Sequence, residues 1–272
     1  MVKHNPDKVF GGSISELYDT CLVPLIFEPY ALDIASRLAS RHPKRVLEVA
    51  AGTGVVTRAI VAALPSDAAI FATDLSQAML DRAAFIGTDR PIEWRQADAM
   101  QLPYRDGTFD AVVCQFGVMF FADKAKAFAE ARRVLAPGGT LLFSVWDRIE
   151  ENEFADSVTS SLAQLFPADP PRFLSRIPHG YHDRDSIEHD LALAGFTQRP
   201  TFETLALRSR AGSPGLAAVA YCQGSPLRSE IETRSADGLA KATDVCADGI
   251  ARRFGSDAVD GKIQAHIVTI EV

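Results

Sequence analysis

Arg45-Val46-Leu47-Glu48-Val49-Ala50-Ala51-Gly52-Thr53-Gly54 is the stretch that decides the fold of this chain. A short apolar run carries an acid at its end. A loop of small residues follows, and the loop opens directly into an apolar helical pattern over 55–64. A second apolar run, 69–73, ends in Asp74. Strand, tight loop, helix, strand and acid in that order make half of a doubly wound nucleotide-binding fold, whose loop must be nearly bare of side chains so that a ligand can lie against backbone.

Working outward, the same alternation continues. Apolar runs predict strands over 46–49, 70–73, 92–97, 109–116 and 140–146, with helices over 54–64, 76–86 and 124–135 between them. Pro65, Gly87 and Pro137-Gly138-Gly139 supply the stops, and Ser76 the cap of the second helix. The 109–116 run is apolar almost throughout, as a strand buried on both faces must be. Strands alternating with helices predict a parallel sheet covered by helices. Ahead of this core, residues 13–40 show helical spacing, divided by Pro24 and Pro29 into short helices. After Asp147 come a helical piece over 154–166 and a Pro-rich stretch, 166–171, read as an insertion. A helix over 184–194 capped by Gly195, a strand over 201–207, a helical region over 213–256 and a last strand over 263–270 complete the chain.

The bulk numbers bound the function. A chain of 272 residues holds one large domain, or one with an added cap. A hydrophobic fraction of 47% supports a full core. The net charge of −7, with no basic block, argues against a nucleic-acid partner, because phosphate binding needs clustered Lys and Arg. No run approaches the roughly 18 apolar residues of a membrane span. Met1–Phe10 is polar, without a stretch of signal-peptide type. Four scattered cysteines (Cys21, Cys114, Cys222, Cys246) form no CxxC pair, so a reduced, cytoplasmic protein is expected.

Two cofactor classes suit the opening motif. Asp74 stands about 20 residues past the loop, where an acid accepts both hydroxyls of a ribose. The alternatives are a ligand-free turn for the loop and a helix cap for Asp74. A nicotinamide dinucleotide anchored on Gly52 needs Gly or Ala at position 57, beside the pyrophosphate, and this chain has Thr57. Glu48 would set an acid near a phosphate, which is unfavourable, but suits a cofactor carrying an ammonium. Later motifs agree with the second class: Gln96-Ala97-Asp98-Ala99-Met100-Gln101-Leu102-Pro103, then Phe109-Asp110-Ala111-Val112-Val113-Cys114-Gln115-Phe116, then Arg133-Val134-Leu135-Ala136-Pro137-Gly138-Gly139.

On these motifs the chain resembles the seven-stranded, Rossmann-like (class I) S-adenosylmethionine-dependent methyltransferases, in particular the small-molecule type similar to the ubiquinone/menaquinone-biosynthesis enzymes. The resemblance is strong over about residues 40–148. It implies an α/β fold with sheet order 3-2-1-4-5-7-6 and an antiparallel last strand. It also implies a single domain, 1–272, comprising an N-terminal helical cap (1–40), a cofactor core (41–148), a lid insertion (149–183) and a completing segment (184–272) with a helical insertion over 210–256. Glu48, Ala50 and Gly52 match the acid-plus-glycine loop that holds the methionine part, Asp74 the ribose acid, and Leu75 beside it would pack on adenine. Asp98 and Ala99 match the adenine site, and Gln115 the residue whose backbone faces the amino-acid end; Gly54, Met79 and Met100 are further cofactor-binding candidates. The family's first loop glycine is Ala50 here. The backbone there need not be left-handed, so modest tightening is expected rather than loss of binding.

The resemblance implies methyl transfer from S-adenosylmethionine, leaving S-adenosylhomocysteine, to a small acceptor that is apolar or aromatic. Two other readings stay open: a protein that binds the cofactor without transferring the methyl, and an NAD(P)-dependent oxidoreductase. The second is disfavoured by Thr57, Glu48 and the lack of a Tyr-xxx-Lys pair at a fitting place. Phe27, Tyr30, Phe116, Met119 and Phe120 are candidates to face the acceptor, or else core packing. His179, His182 and Tyr18 are the weak candidates for catalysis, His179 or His182 as a base. The competing reading gives His182 and Asp183 to a turn and helix cap. No metal is expected, since His179 and His182 lack further ligands at suitable spacing. The chain is expected to be a monomer or homodimer.

Overall fold

The computed structural model describes residues 13–272, so the polar stretch Met1–Phe10 lies outside the described residues. In chain order the elements are helix α1 (Ser13–Leu17), a wide π-type helix (Tyr18–Phe27), α2 (Glu28–Ala39), β1 (Arg45–Val49), α3 (Val55–Ala63), β2 (Ala69–Asp74), α4 (Gln77–Ile86), β3 (Glu93–Gln96), β4 (Phe109–Gln115), α5 (Lys124–Val134) and β5 (Leu135–Trp146). Then come α6 (Glu153–Leu165), α7 (Phe173–Arg176), α8 (Arg184–Leu193), β6 (Thr201–Ala211), α9 (Pro214–Gln223), α10 (Leu227–Arg234), α11 (Gly238–Phe254) and β7 (Val259–Glu271).

The strands form one seven-stranded sheet in the order β3-β2-β1-β4-β5-β7-β6. β1 to β5 pair in parallel. β7 runs against them. Gly138 N–H donates to Val272 O at 2.9 Å and Asp147 N–H to Gln264 O at 3.0 Å, so numbers rise along β5 as they fall along β7. β7 also opposes β6, with Thr204 Oγ1 3.0 Å from His266 Nδ1 and Arg208 Nε donating to Asp260 Oδ1 at 2.6 Å. The strand order and the reversed last strand are those expected from the sequence. The order reverses between β1 and β4, and in such sheets the crevice outside the carboxyl ends at that point receives ligands.

The core explains why these runs became strands. Val46, Leu47, Ala111, Val112 and Val113 are each at most 1% exposed, covered on both faces of the sheet. Full burial of a Val or Leu side chain stabilises by about 1.5–3 kcal/mol. α2 packs on α3, and α5 on α8.

Several details differ from the sequence reading. Pro24 does not end a helix: it has no N–H to give, and the chain widens into π geometry around it. Pro29 falls in the first turn of α2 and does not break it. Ser76 precedes α4 without a side-chain capping bond, and its own N–H donates to the Asp74 carboxylate. The chain leaves α5 straight into β5 at Leu135, which pairs with Phe109 before the register shifts. β6 runs on to Ala211 because Arg208 and Arg210 both pair with Asp260 on β7.

The chain divides into two compact units. One comprises residues 28–145, 181–205 and 265–272 and holds strands β1 to β4. The other comprises, of the described residues, 13–27, 146–180 and 206–264 and is mainly helical. Within it α11 packs on α9 and α6, and Cys222 and Cys246 are buried among those helices. No described helix is long and apolar enough to cross a membrane.

Candidate functional site

The carboxyl ends of β1, β2, β3 and β4 carry the site. After Val49 the backbone turns sharply: Ala50, Gly52 and Gly54 have φ of 56°, 57° and 83°. The left-handed Ala50 corrects the expectation that the backbone there would not need that conformation. An L-residue held so costs roughly 1–2 kcal/mol, and the surrounding bonds must maintain it. Ala51 N–H donates to Thr73 O and Gly54 N–H to Ala51 O, each at 2.9 Å. Gly54 is also demanded by space: a Cβ there would stand 2.8 Å from the Trp94 ring.

Asp74 closes the loop. Its Oδ2 accepts from Gly52 N–H and its Oδ1 from Ser76 N–H, both at 2.8 Å. These bonds fix the carboxylate while each oxygen keeps lone-pair capacity for a further donor. Burial raises the carboxyl's pKa, and the N–H groups of Ser76, Gly52 and Leu75 oppose that rise.

Glu48 lies deeper, 2% exposed, with Thr57 Oγ1 donating to its Oε2. The residue that told against a dinucleotide therefore bolts the end of β1 to the first turn of α3. Burial pushes the Glu48 carboxyl up to about 8, against the lowering effects of Thr57 and of the Arg58 charge. The bond between Glu48 and Thr57 was not foreseen from the sequence; two polar residues nine apart across a strand–loop–helix turn were the available signal.

The ends of the other strands join this loop. Ala97 N–H donates to Asp74 O at 2.9 Å, and Gln96 Nε2 to Leu75 O at 2.9 Å. Asp98 Oδ1 accepts from Met100 N–H at 2.9 Å in a local turn. At the end of β4, Phe116 has φ of 52°. Gly117 then passes so close to the first loop that a Cβ on it would lie 2.5 Å from Ala50 Cβ and 2.7 Å from Cys114 Sγ. Gly117 was missed from the sequence because its neighbour Ala50 is distant in the chain.

The structure thus brings Ala50, Gly52, Gly54, Asp74, Leu75, Asp98 and Met100 to one edge of the sheet. Leu75 is half exposed, whereas Ala99, Met79 and Gln115 are buried. Among the acceptor-side candidates, Tyr30 is fully buried, its hydroxyl donating to Leu205 O at 3.0 Å and its ring edge-on to Phe116 at 5.2 Å. Phe116 and Met119 are buried too, while Phe120 keeps part of its surface open.

In the helical unit Tyr18, Phe27, Trp146 and His179 form a row of rings with centroid spacings of 5.2, 6.1 and 6.0 Å. His179 Nδ1 lies 2.8 Å from Asp147 O, which holds the ring as the tautomer protonated on Nδ1. Trp146, which links the row, was not singled out from the sequence. His182 is partly exposed, and next to it Asp183 caps α8 by accepting from Ser186 N–H at 3.0 Å.

Residues 47–143 match the protein family described as a methyltransferase domain. The matched residues run from β1 to β5 and include the loops after β1, β2, β3 and β4. Over 114 residues the chain is 42% identical to a demethylmenaquinone methyltransferase of Thermus thermophilus, covering 41% of this chain and 50% of that protein. Over 164 residues it is 35% identical to a malonyl-[acyl-carrier protein] O-methyltransferase of Geobacter sulfurreducens, covering 60% of this chain and 59% of that protein. The chain therefore spans only about half of these relatives. In fold it resembles the crystal structure of a putative methyltransferase from Bacillus halodurans, with a TM-score of 0.56 at 20% identity, covering 88% of this chain and 97% of that one. The edge of the sheet thus holds two oriented carboxylates, Asp74 and Asp98, each able to accept from a ligand hydroxyl or amine, beside a loop without bulky side chains.

Proposed function

We propose that the protein transfers a methyl group from S-adenosylmethionine to a small apolar or aromatic acceptor. The observation that carries this reading is the Asp74 carboxylate, fixed by Gly52 and Ser76 N–H with acceptor capacity left on both oxygens. Asp74 takes the two ribose hydroxyls. Asp98, whose Oδ1 is already held by Met100 N–H, takes the adenine amine through its carboxylate. The bare loop 50–54 and the Gln115 backbone lie against the methionine part. When bound, the sulfonium supplies a methyl carbon already activated for in-line displacement. The protein's task is then mainly alignment and exclusion of water.

An acceptor that must lose a proton also needs a base. Of the three candidates, His179 has the best support, because the Asp147 carbonyl fixes the orientation and tautomer of its ring. The aromatic row beside it supports an aromatic acceptor. The relatives' names, a demethylmenaquinone methyltransferase and a malonyl-[acyl-carrier protein] O-methyltransferase, support a small acceptor.

Calorimetric titration with S-adenosylmethionine and with NADH tests the cofactor. Binding of the first is expected, and binding of NADH alone would overturn the reading. Release of S-adenosylhomocysteine over a panel of quinols, phenols and carboxylic acids tests transfer. Cofactor binding without any release would favour the non-transferring alternative.

A further inference from the structure

The loop after β3 carries the proposed adenine acid, yet little of what holds it lies within it. Asp98 and Gln101 make a short turn of their own. Beyond that turn the anchoring comes from the end of α5, some thirty residues later. Leu102 N–H donates to Glu130 Oε2 at 2.8 Å. The Arg133 guanidinium donates to Leu102 O at 3.0 Å, to Tyr104 O at 2.8 Å and to Asp106 Oδ1 at 2.7 Å. It also makes two bonds to Glu130, both at 2.7 Å, which lock the pair together. The Arg133 carbonyl then accepts from Gly107 N–H at 3.0 Å, where the chain turns into β4.

A planar, always-charged fork with five donors suits this task, since it can serve several carbonyls and a carboxylate at fixed angles. A lysine at the same place could not. An arginine placed only to favour the end of a helix would point at α5's own last carbonyls. Arg133 instead makes three bonds to the loop and two to Glu130.

We propose that Glu130 and Arg133 are positioning residues for adenine recognition: they set the path of the loop 102–107 and thereby the aim of the Asp98 carboxylate at the purine amine. This rests on the S-adenosylmethionine reading above. Neither residue touches the cofactor; both act through the loop.

The test measures dissociation constants for S-adenosylhomocysteine and for S-inosylhomocysteine, in which a carbonyl replaces the purine amine. Wild-type protein is expected to prefer the adenine form by about tenfold or more, because the hypoxanthine oxygen faces a carboxylate. Arg133→Gln is expected to reduce that preference toward unity. Arg133→Lys should restore little of it, and Asp106→Asn, which removes only an outer ion pair, should leave it intact. Should Arg133→Gln fail to fold, Glu130→Ala, which removes the acceptor for Leu102 N–H, carries the same expectation. A preference unchanged in the folded variants, with both ligands weakened equally, would make the pair merely structural and overturn the proposal. Wild-type protein that binds neither ligand would instead refute the cofactor reading itself.

Discussion

The loop after β1 and the loop after β3 each present a carboxylate at the same edge of the sheet, but they are built differently. The first is held by its own neighbourhood: Ala50, Gly52 and Gly54 are left-handed, and Asp74 binds Gly52 N–H across a single strand–helix–strand unit. The second is held from outside, by Glu130 and Arg133 on α5. A self-held loop makes its carboxylate part of its own support. In the loop held from α5 the carboxylate supports only its own local turn, through Met100 N–H. Mutations should therefore couple stability and binding at the first loop and separate them at the second.

The largest effect should come from Asp74→Ala. It removes the ribose acceptor and leaves Gly52 and Ser76 N–H without their partner, so cofactor affinity should fall by on the order of 1–3 kcal/mol and Tm should fall with it. Asp98→Ala should weaken S-adenosylhomocysteine by about 1 kcal/mol while Tm hardly moves. Calorimetry and thermal melts of both variants check the contrast; equal losses of Tm would break it.

Next comes the contact between strand ends. Gly117→Ala sets a methyl against Ala50 Cβ and should destabilise by about 1–3 kcal/mol. Adding Ala50→Gly should recover part of that loss. Strict additivity in the double-mutant cycle would show that the two ends do not press on each other.

Glu48 gives the loop a pH dependence. Its folded pKa of about 8 lies above the ordinary carboxylate value, so the native state keeps the proton that the unfolded chain loses. The stability linked to Glu48 is therefore complete below the ordinary carboxylate pKa and is lost as pH rises toward about 8. Asp74 is shifted the same way, so the informative comparison is wild type against Glu48→Gln. Wild-type Tm should decline between pH 5 and 8 more steeply than that of the variant. Parallel profiles would show that the Glu48 carboxyl is ionised throughout.

The smallest effect is expected from Ala50→Gly alone. Relief of the left-handed backbone is partly offset by the greater freedom of glycine in the unfolded chain, which leaves a gain of roughly 0.5–1 kcal/mol. Denaturant titration would detect it, and a loss of stability would mean that Ala50 makes a contact worth more than its strain.

The contrast between the loops also explains what could be read from the chain alone. Strands β1 to β5, the helices between them and the first loop rest on short-range signals: apolar runs, Gly and Pro stops, and an acid at a fixed spacing. Asp74 was legible for that reason, although its bond to Gly52 N–H was not. The bond from Thr57 to Glu48, the seat of Ala50 on Gly117 and the reach of Arg133 to Leu102 depend on which residues the fold brings together. The burial of Tyr30 and Met119 was hidden likewise, because an aromatic or Met at helical spacing looks the same in a core and at a rim. The row from Tyr18 to His179 joins four distant points of the chain through Trp146.

A crystal structure with S-adenosylhomocysteine tests the central claim most directly. Both ribose hydroxyls should lie within hydrogen-bond reach of Asp74, with the purine amine at Asp98 and the homocysteine part along residues 50–54. A nucleoside bound at another edge of the sheet, or a ribose with no carboxylate near it, would contradict the account.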